Sequence, residues 1–342
     1  GAQEPEPLWC PILAGEPLNE KCIGVREKEE GVYAVGNDLE VLIGNDGGLS
    51  IFRDGKAMWR TSAYAFALEE HAARMMFCVG KAEKIYGLGQ DPMARLDQNG
   101  CERRMWNQWG GHERSGNCGI GFFTSDAGYG MLLNSAAAAR FCFGDRTPEL
   151  DPLGEAMVPS PFKTACRPAE GMAMIEVYGP LDIFIFFGCR QTLLSRYYDM
   201  TGLPALLPKW AYGFLQSKNR YMNRDDLMTV ARRLRENHLP CDGLIIDWLW
   251  FSEFGDLEWN EQDWPDAVQM LEQLQKDGFH VVSAQHPFIS ERSEYYNFYK
   301  GKGYLNRVPA GKRITYDHTN PEARTYWWEK TAKLYRQGLR GY

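Results

Sequence analysis

Gly243-Leu244-Ile245-Ile246-Asp247-Trp248-Leu249-Trp250-Phe251 is an almost unbroken apolar run with a single carboxylate set into it. A run this short, with Pro240 and Asp242 before it and a charged segment after it, reads as a β-strand covered on both faces. Its neighbours are of the same kind: Tyr212–Ser217 reads as a preceding strand and His280–Ile289 as a following one. Helical signals fill the gaps. Asn223 is placed to cap a helix with Asp225 and Asp226 in its first turn, where carboxylates favour the helix dipole, and Leu227, Val230, Ala231 and Leu234 form the apolar stripe. Asp266 opens a second helix through Leu271 and Leu274, stopped by Gly278. A third has Asn320 as cap, Pro321 at its first position and Gly338 just past its end, and Leu339-Arg340-Gly341-Tyr342 reads as the start of a fourth strand.

Phe214, Ile246 and Val282, at the centres of the three strands, are 32 and 36 residues apart, the rhythm of a parallel α/β domain. A doubly wound sheet would carry a glycine-rich phosphate turn after its first strand, and Gln216-Ser217-Lys218-Asn219-Arg220 is nothing of the kind. A (β/α)8 barrel is therefore expected. Such barrels take about 250 residues, so 206–342 is expected to hold only the first half of one.

Residues 1–205 have a different grammar. Short apolar runs at Val32–Val35, Leu39–Ile43, Leu49–Phe52, Ile120–Thr124, Met131–Asn134, Ala173–Tyr178 and Ile183–Phe187 are separated by turn signals such as Asn45-Asp46-Gly47-Gly48 and Asp54-Gly55. Many short strands with glycine-rich turns predict a β-sandwich. A proline-punctuated stretch, Thr201-Gly202-Leu203-Pro204 through Leu207-Pro208-Lys209, links the two parts. The fold class expected is a β-sandwich followed by the first half of a (β/α)8 barrel.

Composition narrows the function. Of 342 residues 44% are hydrophobic and 24% charged, ordinary for a globular chain, which excludes disorder over most of its length. The net charge of -7 gives no footprint for nucleic acid or an anionic membrane, so neither is expected as a partner. The longest apolar runs fall well short of the roughly 18 residues of a membrane helix. Residues 1–20 hold no signal-peptide pattern, no N-x-S/T site occurs, and nine scattered cysteines form no C-x-x-C pair. Reduced thiols and a cytoplasmic address are the expectation.

Working residues of a barrel sit where its strands end. That rule selects Gln216, Ser217, Lys218 and Arg220 after the first strand, Asp247, Trp248, Trp250 and Phe251 after the second, and Gln285, His286 and Phe288 after the third. A carboxylate in a buried strand must be paired or face a polar pocket. Asp247 either caps its loop or pairs with Lys218, or it receives the hydroxyls of a sugar whose ring lies against Trp248 or Trp250. His286 is read equally as a buried structural histidine or a ligand contact. The acidic segment Glu253, Asp256, Glu258, Glu261, Asp263 and Asp266 has the composition to hold a catalytic pair, but the favoured reading is a solvated loop and helix start. No His/Cys/Asp grouping has metal spacing, Asp317-His318 being too isolated. Tyr86-Gly87-Leu88-Gly89-Gln90 has part of a phosphate-loop pattern but no following helix, so a tight turn is expected there.

Several of these segments resemble glycoside hydrolase family 31. Tyr86-Gly87-Leu88-Gly89, Gly128-Tyr129-Gly130-Met131-Leu132-Leu133-Asn134 and Pro208-Lys209-Trp210-Ala211-Tyr212-Gly213-Phe214-Leu215-Gln216-Ser217-Lys218-Asn219-Arg220-Tyr221 are similar to its successive signatures. So are Pro240-Cys241-Asp242-Gly243-Leu244-Ile245-Ile246-Asp247-Trp248, Asp263-Trp264-Pro265-Asp266 and Asp317-His318-Thr319-Asn320-Pro321-Glu322-Ala323, all in family order.

The resemblance implies a galactose-mutarotase-like β-sandwich before a (β/α)8 barrel, and a retaining exo-acting α-glycosidase acting on an oligosaccharide or glycoside without a cofactor. By the same resemblance Asp247 grips hydroxyls of the terminal sugar, Trp248 and Trp250 line the pocket beside it, and Gln285 and His286 form its strand-three wall. Gln108, within Met105-Trp106-Asn107-Gln108-Trp109, matches a sandwich loop that reaches toward the active site. The family's nucleophile ends strand four and its acid/base follows strand six, so no catalytic carboxylate is expected within this chain, and the rest of the barrel is expected as its partner. A homo-oligomer is left open. α-Glucosidase or α-xylosidase activity is expected, with α-galactosidase, α-N-acetylgalactosaminidase or a non-catalytic sugar-binding homologue as alternatives. An aspartate is expected within the few residues that follow Tyr342 in the whole protein; reading that stretch checks it, and its absence there would sink the enzyme reading.

Overall fold

The computed structural model describes residues 24–36, 38–68, 71–90, 95–105, 118–144, 168–307 and 314–341. The chain divides into two compact units, Gly1–Pro204 and Ala205–Tyr342.

In the first unit the alternation of Ala73, Met75 and Phe77, buried, with half-buried residues between them is the signature of a strand with one face on a core. Six strands run as an antiparallel meander: β1 (Gly24–Lys28), β2 (Gly31–Val35), β3 (Glu40–Gly44), β4 (Leu49–Arg53), β5 (Lys56–Leu68) and β6 (Ala73–Cys78). There follow β7 (Ile85–Gly87), β8 (Glu102–Arg104), β9 (Phe122–Ser125), β10 (Tyr129–Leu133), β11 (Ala139–Phe143), β12 (Met172–Val177), β13 (Ile183–Phe187) and helix α1 (Arg190–Thr201). The meander continues through β12, β11 and β8 into a nine-stranded sheet, while β13, β10, β9 and β7 form a second sheet of four. Side chains of both sheets share one apolar core: Phe77 of the large sheet lies flat against Phe123 of the small one at 6.2 Å, and Phe123 meets Phe141 and Phe143 edge-on.

One row of this unit is charged. Arg74, Glu176 and Arg140 are cross-strand neighbours on β6, β12 and β11, and Glu176, 2% exposed, accepts hydrogen bonds from both arginines. Cys142 is disulfide-bonded, which corrects the expectation of reduced thiols throughout and removes their support for a cytoplasmic address. Cys78, Cys101, Cys118, Cys189 and Cys241 are free. Among the described residues no helix is long and apolar enough to cross a membrane. The Tyr86–Gln90 segment is a tight crossing rather than a phosphate loop: a Cβ on Gly89, at φ +81°, would stand 1.9 Å from the Cys118 carbonyl oxygen.

In the second unit β14 (Leu215–Ser217), β15 (Gly243–Ile246) and β16 (His280–Ser283) form a parallel sheet in that order. Gly341 adds a parallel bridge to Val282, where the sequence reading places the start of a fourth strand. Helices α2 (Arg224–Glu236) and α3 (Ala267–Lys276) connect the strands. Asn223 caps α2 by accepting from the Asp226 amide; Asp266 precedes α3 in a left-handed conformation and makes no side-chain cap. Leu227, Ala231, Leu244, Ile246, Met270, Leu271, Leu274 and Val281 form the core. The strands are shorter than their apolar runs. Lys209–Tyr212 is a 3-10 turn, β15 stops at Ile246, and β16 stops at Ser283.

Past β16 the chain builds an antiparallel sheet from β17 (Phe288–Ile289), β18 (Leu305–Arg307) and β19 (Ile314–Tyr316), with α4 (Tyr296–Gly301) before β18. Its core is mostly tyrosine: Tyr295, Tyr296, Tyr299, Tyr304 and Tyr316 pack with Leu257 and Ile289. Helix α5 (Pro321–Gln337) then starts on Asn320, whose side chain accepts from the Glu322 and Ala323 amides. Replacing fully buried Leu244 by Ala is expected to destabilise the protein by about 2–5 kcal/mol, whereas Asn320→Ala costs about 1 kcal/mol. Urea unfolding of the two variants checks the order.

Candidate functional site

The parallel ladder ends at the pair Ile246↔Ser283, and the Ala284 amide donates to the Ile246 carbonyl at 2.8 Å. Asp247 and Gln285 therefore stand one and two residues past the last ladder pair of adjacent strands.

Asp247 is half-buried and its carboxylate makes no hydrogen bond or ion pair with a described residue. The competing reading, a pair with Lys218, does not occur. Lys218 Nζ instead donates to both carboxylate oxygens of Asp226 at 2.9 and 2.8 Å, and that hydrogen bond, with one from the Met222 amide, holds the Asp226 carboxyl below its usual range. Gln285 adds an unsatisfied group: both its amide oxygen and nitrogen are shut off from water and have no hydrogen-bond partner among the described residues. An amide left in that state costs on the order of 1–3 kcal/mol, so it marks a place where a polar ligand is stabilising.

The aromatic side chains divide. Trp248 is half-buried; its indole N–H donates to Asn219 Oδ1 at 3.0 Å, the Arg220 guanidinium lies 5.7 Å from its ring, and Phe254 stacks on it at 5.9 Å and 14°. His286 is half-buried as well, edge-on to Phe254 at 5.5 Å and flat against Phe288 at 5.8 Å. Trp250 corrects the sequence reading. It is 0% exposed, its indole N–H donates to the Ala284 carbonyl at 2.9 Å, and it packs on Phe251 and Trp259, so it is a core residue and not a pocket wall. The cause is backbone: β15 has already ended, and Leu249 at φ +64° breaks the strand alternation that would have put Trp250 beside Trp248. Phe251 is buried with it. Gln108 lies outside the described residues.

Other acidic groups have structural work. Glu253 pairs with Arg292 at 2.9 Å and Glu258 with Lys333 at 2.8 Å. Asp256 Oδ2 accepts from the Glu253 amide, and burial raises its carboxyl above the usual range. Asp317 accepts from the Thr319 hydroxyl and amide, which lowers it, while burial lowers His318. Among the described residues no three His, Cys, Asp or Glu side chains are grouped to hold a metal ion. Three open hollows among the described residues, of about 730, 700 and 670 Å³, are lined by none of the candidate residues. Sequence reasoning gave no role to Asn219 or Phe254. Asn219 stood in the loop already singled out, whereas Phe254 was hidden inside the acidic segment.

Residues 204–342 match the glycosyl hydrolases family 31 TIM-barrel domain. An α-xylosidase of Saccharolobus solfataricus is 23% identical over 89% of this chain and 40% of its own length. Alpha-glucosidase 2 of Bacillus thermoamyloliquefaciens is 25% identical over 87% of this chain and 37% of its own. Among solved structures, a soil-metagenome family 31 α-xylosidase complexed with xylose superposes with a TM-score of 0.79 at 25% identity, over 99% of this chain and 51% of that one. The chain thus spans about two-fifths of the length of these curated relatives. Trp250→Phe, which leaves the Ala284 carbonyl without its donor, is expected to lower stability by about 1–3 kcal/mol, which thermal melting checks.

Proposed function

We propose, from a chain whose residues 204–342 carry the glycosyl hydrolase family 31 TIM-barrel domain, that the whole protein is a retaining exo-acting α-glycosidase of the α-xylosidase or α-glucosidase type. In this reading the nine- and four-stranded sheets are the two layers of a β-sandwich, and β14, β15 and β16 are the first three strands of a (β/α)8 barrel. Domain boundaries at 1–205 and 206–342 belong to the same proposal.

The observation that carries it is the unpartnered Asp247 carboxylate and the unsatisfied Gln285 amide, one and two residues past the last ladder pair of adjacent parallel strands. A carboxylate accepts from two adjacent hydroxyls, an amide both donates and accepts, and a pyranose ring presents all of these partners at once. Trp248 and His286 supply the flat, partly apolar surroundings that a sugar ring fits. Asp247 and Gln285 bind and orient; they do not attack. A retaining glycosidase needs a nucleophile and an acid/base about 5–5.5 Å apart, and those carboxyls are assigned to the remaining strands of the barrel. No cofactor enters this chemistry. The substrate is a glycoside or oligosaccharide with an α-linked terminal xylosyl or glucosyl residue, a choice supported by the named relatives.

Asp247→Ala in the whole protein is expected to raise KM and lower kcat together on aryl α-xylosides and aryl α-glucosides. A charge-assisted hydrogen bond contributes roughly 1.5–3 kcal/mol, so kcat/KM falls by about tenfold or more. Unchanged kinetics would refute the assigned role. Sugar binding without turnover by the unsubstituted protein would replace the enzyme reading with a binding one.

A further inference from the structure

Phe254 stands in a loop that nothing in the sequence connects with a ligand, yet its ring meets aromatic groups from both sides of the candidate pocket. It lies flat on Trp248 at 5.9 Å and 14°, beside Asp247, and meets His286 at 5.5 Å and Phe288 at 6.4 Å edge-on, beyond Gln285. Phe251 of the core backs it at 5.6 Å. A ring touching two walls at once sets the distance between them.

Its own position is held from elsewhere. The Phe254 carbonyl accepts from the Ser290 amide at 2.7 Å, and the Gly255 carbonyl accepts from the Tyr316 hydroxyl at 2.9 Å. Gly255 has φ +95°, and a Cβ there would stand 2.6 Å from the Tyr316 oxygen and 2.7 Å from Ile289 Cγ1. The loop after β15 is therefore clamped onto β17 and β19. At its far edge Trp248 is fixed by Asn219, so the indole is held at both ends.

We propose that Phe254 is a positioning residue that sets the separation of Trp248 and His286 and so the width of the sugar pocket, with Tyr316 holding it in place. The proposal rests on the glycosidase reading for its ligand, a pyranose, but its structural half is independent of that reading. Phe254 acts through Trp248 and His286 and need not touch the sugar.

The test uses the whole protein labelled with 5-fluorotryptophan, with the Trp248 fluorine resonance identified by Trp248→Phe. Phe254→Ala is expected to move and broaden that resonance, to weaken D-xylose or D-glucose binding about tenfold, and to raise KM with kcat falling less than threefold. Phe254→Tyr keeps the ring and restores all three. If Phe254→Ala does not fold, Tyr316→Phe carries the test, with the same resonance shift and about threefold weaker binding. An unmoved Trp248 resonance in whichever variant folds overturns the proposal, as does a moved resonance with unchanged sugar affinity. A parent protein that binds neither sugar and cleaves no α-glycoside overturns the functional reading and with it the pocket role; the fluorine spectrum still decides whether Phe254 positions Trp248.

Discussion

Leu215, Gly243 and His280 lie level with one another across three parallel strands, and that register is the constraint on which the site depends. With the strands in step, their carboxyl ends finish together, and the loops that leave them bring Asn219, Asp247 and Gln285 to one edge of the sheet. Close approach is part of the mechanism of alignment: a Cβ on Gly243 would stand 2.6 Å from the His280 carbonyl oxygen. Glycine at that level lets the second strand sit against the third without displacing the ladder.

What could be read from the amino acids follows the range of the forces involved. Asn223 and Asn320 announce their helices because capping is a contact within one turn, and the strand cores are legible because an apolar run has few other uses. The ends of strands are harder. Trp248 and Trp250 look equivalent at a spacing of two, and only the left-handed Leu249 separates them into a half-buried ring and a core residue. The unsatisfied amide of Gln285 is a property of its surroundings and leaves no mark on the sequence. In the first unit the long β5 escaped notice because it mixes small and polar residues and shifts register between Thr61 and Phe66. Helix α1 escaped despite Leu193, Tyr197 and Met200 at helical spacing, a signal that was present and unread. The pairing of Cys142 had no signature in the cysteine spacing at all.

The antiparallel sheet that follows β16 shows how one small sheet can hold the loop of another. Its tyrosines satisfy two demands at once, since each ring packs in the core while Tyr304 and Tyr316 place their hydroxyls on Glu322 and on the Gly255 carbonyl. A phenylalanine core of the same shape would pack as well but would remove the hydroxyl that holds Gly255, leaving the neighbouring loop only the Ser290 amide.

The charged row of the nine-stranded sheet has a consequence for how that sheet finds its alignment. Side chains alternate along a strand, so sliding β12 by one residue past β6 and β11 would carry Glu176 from between Arg74 and Arg140 to the face now held by Ile175, against Met75 and Phe141. An ionised carboxylate there would face apolar neighbours on both sides. The single acidic residue of β12 thus ties three strands to one alignment.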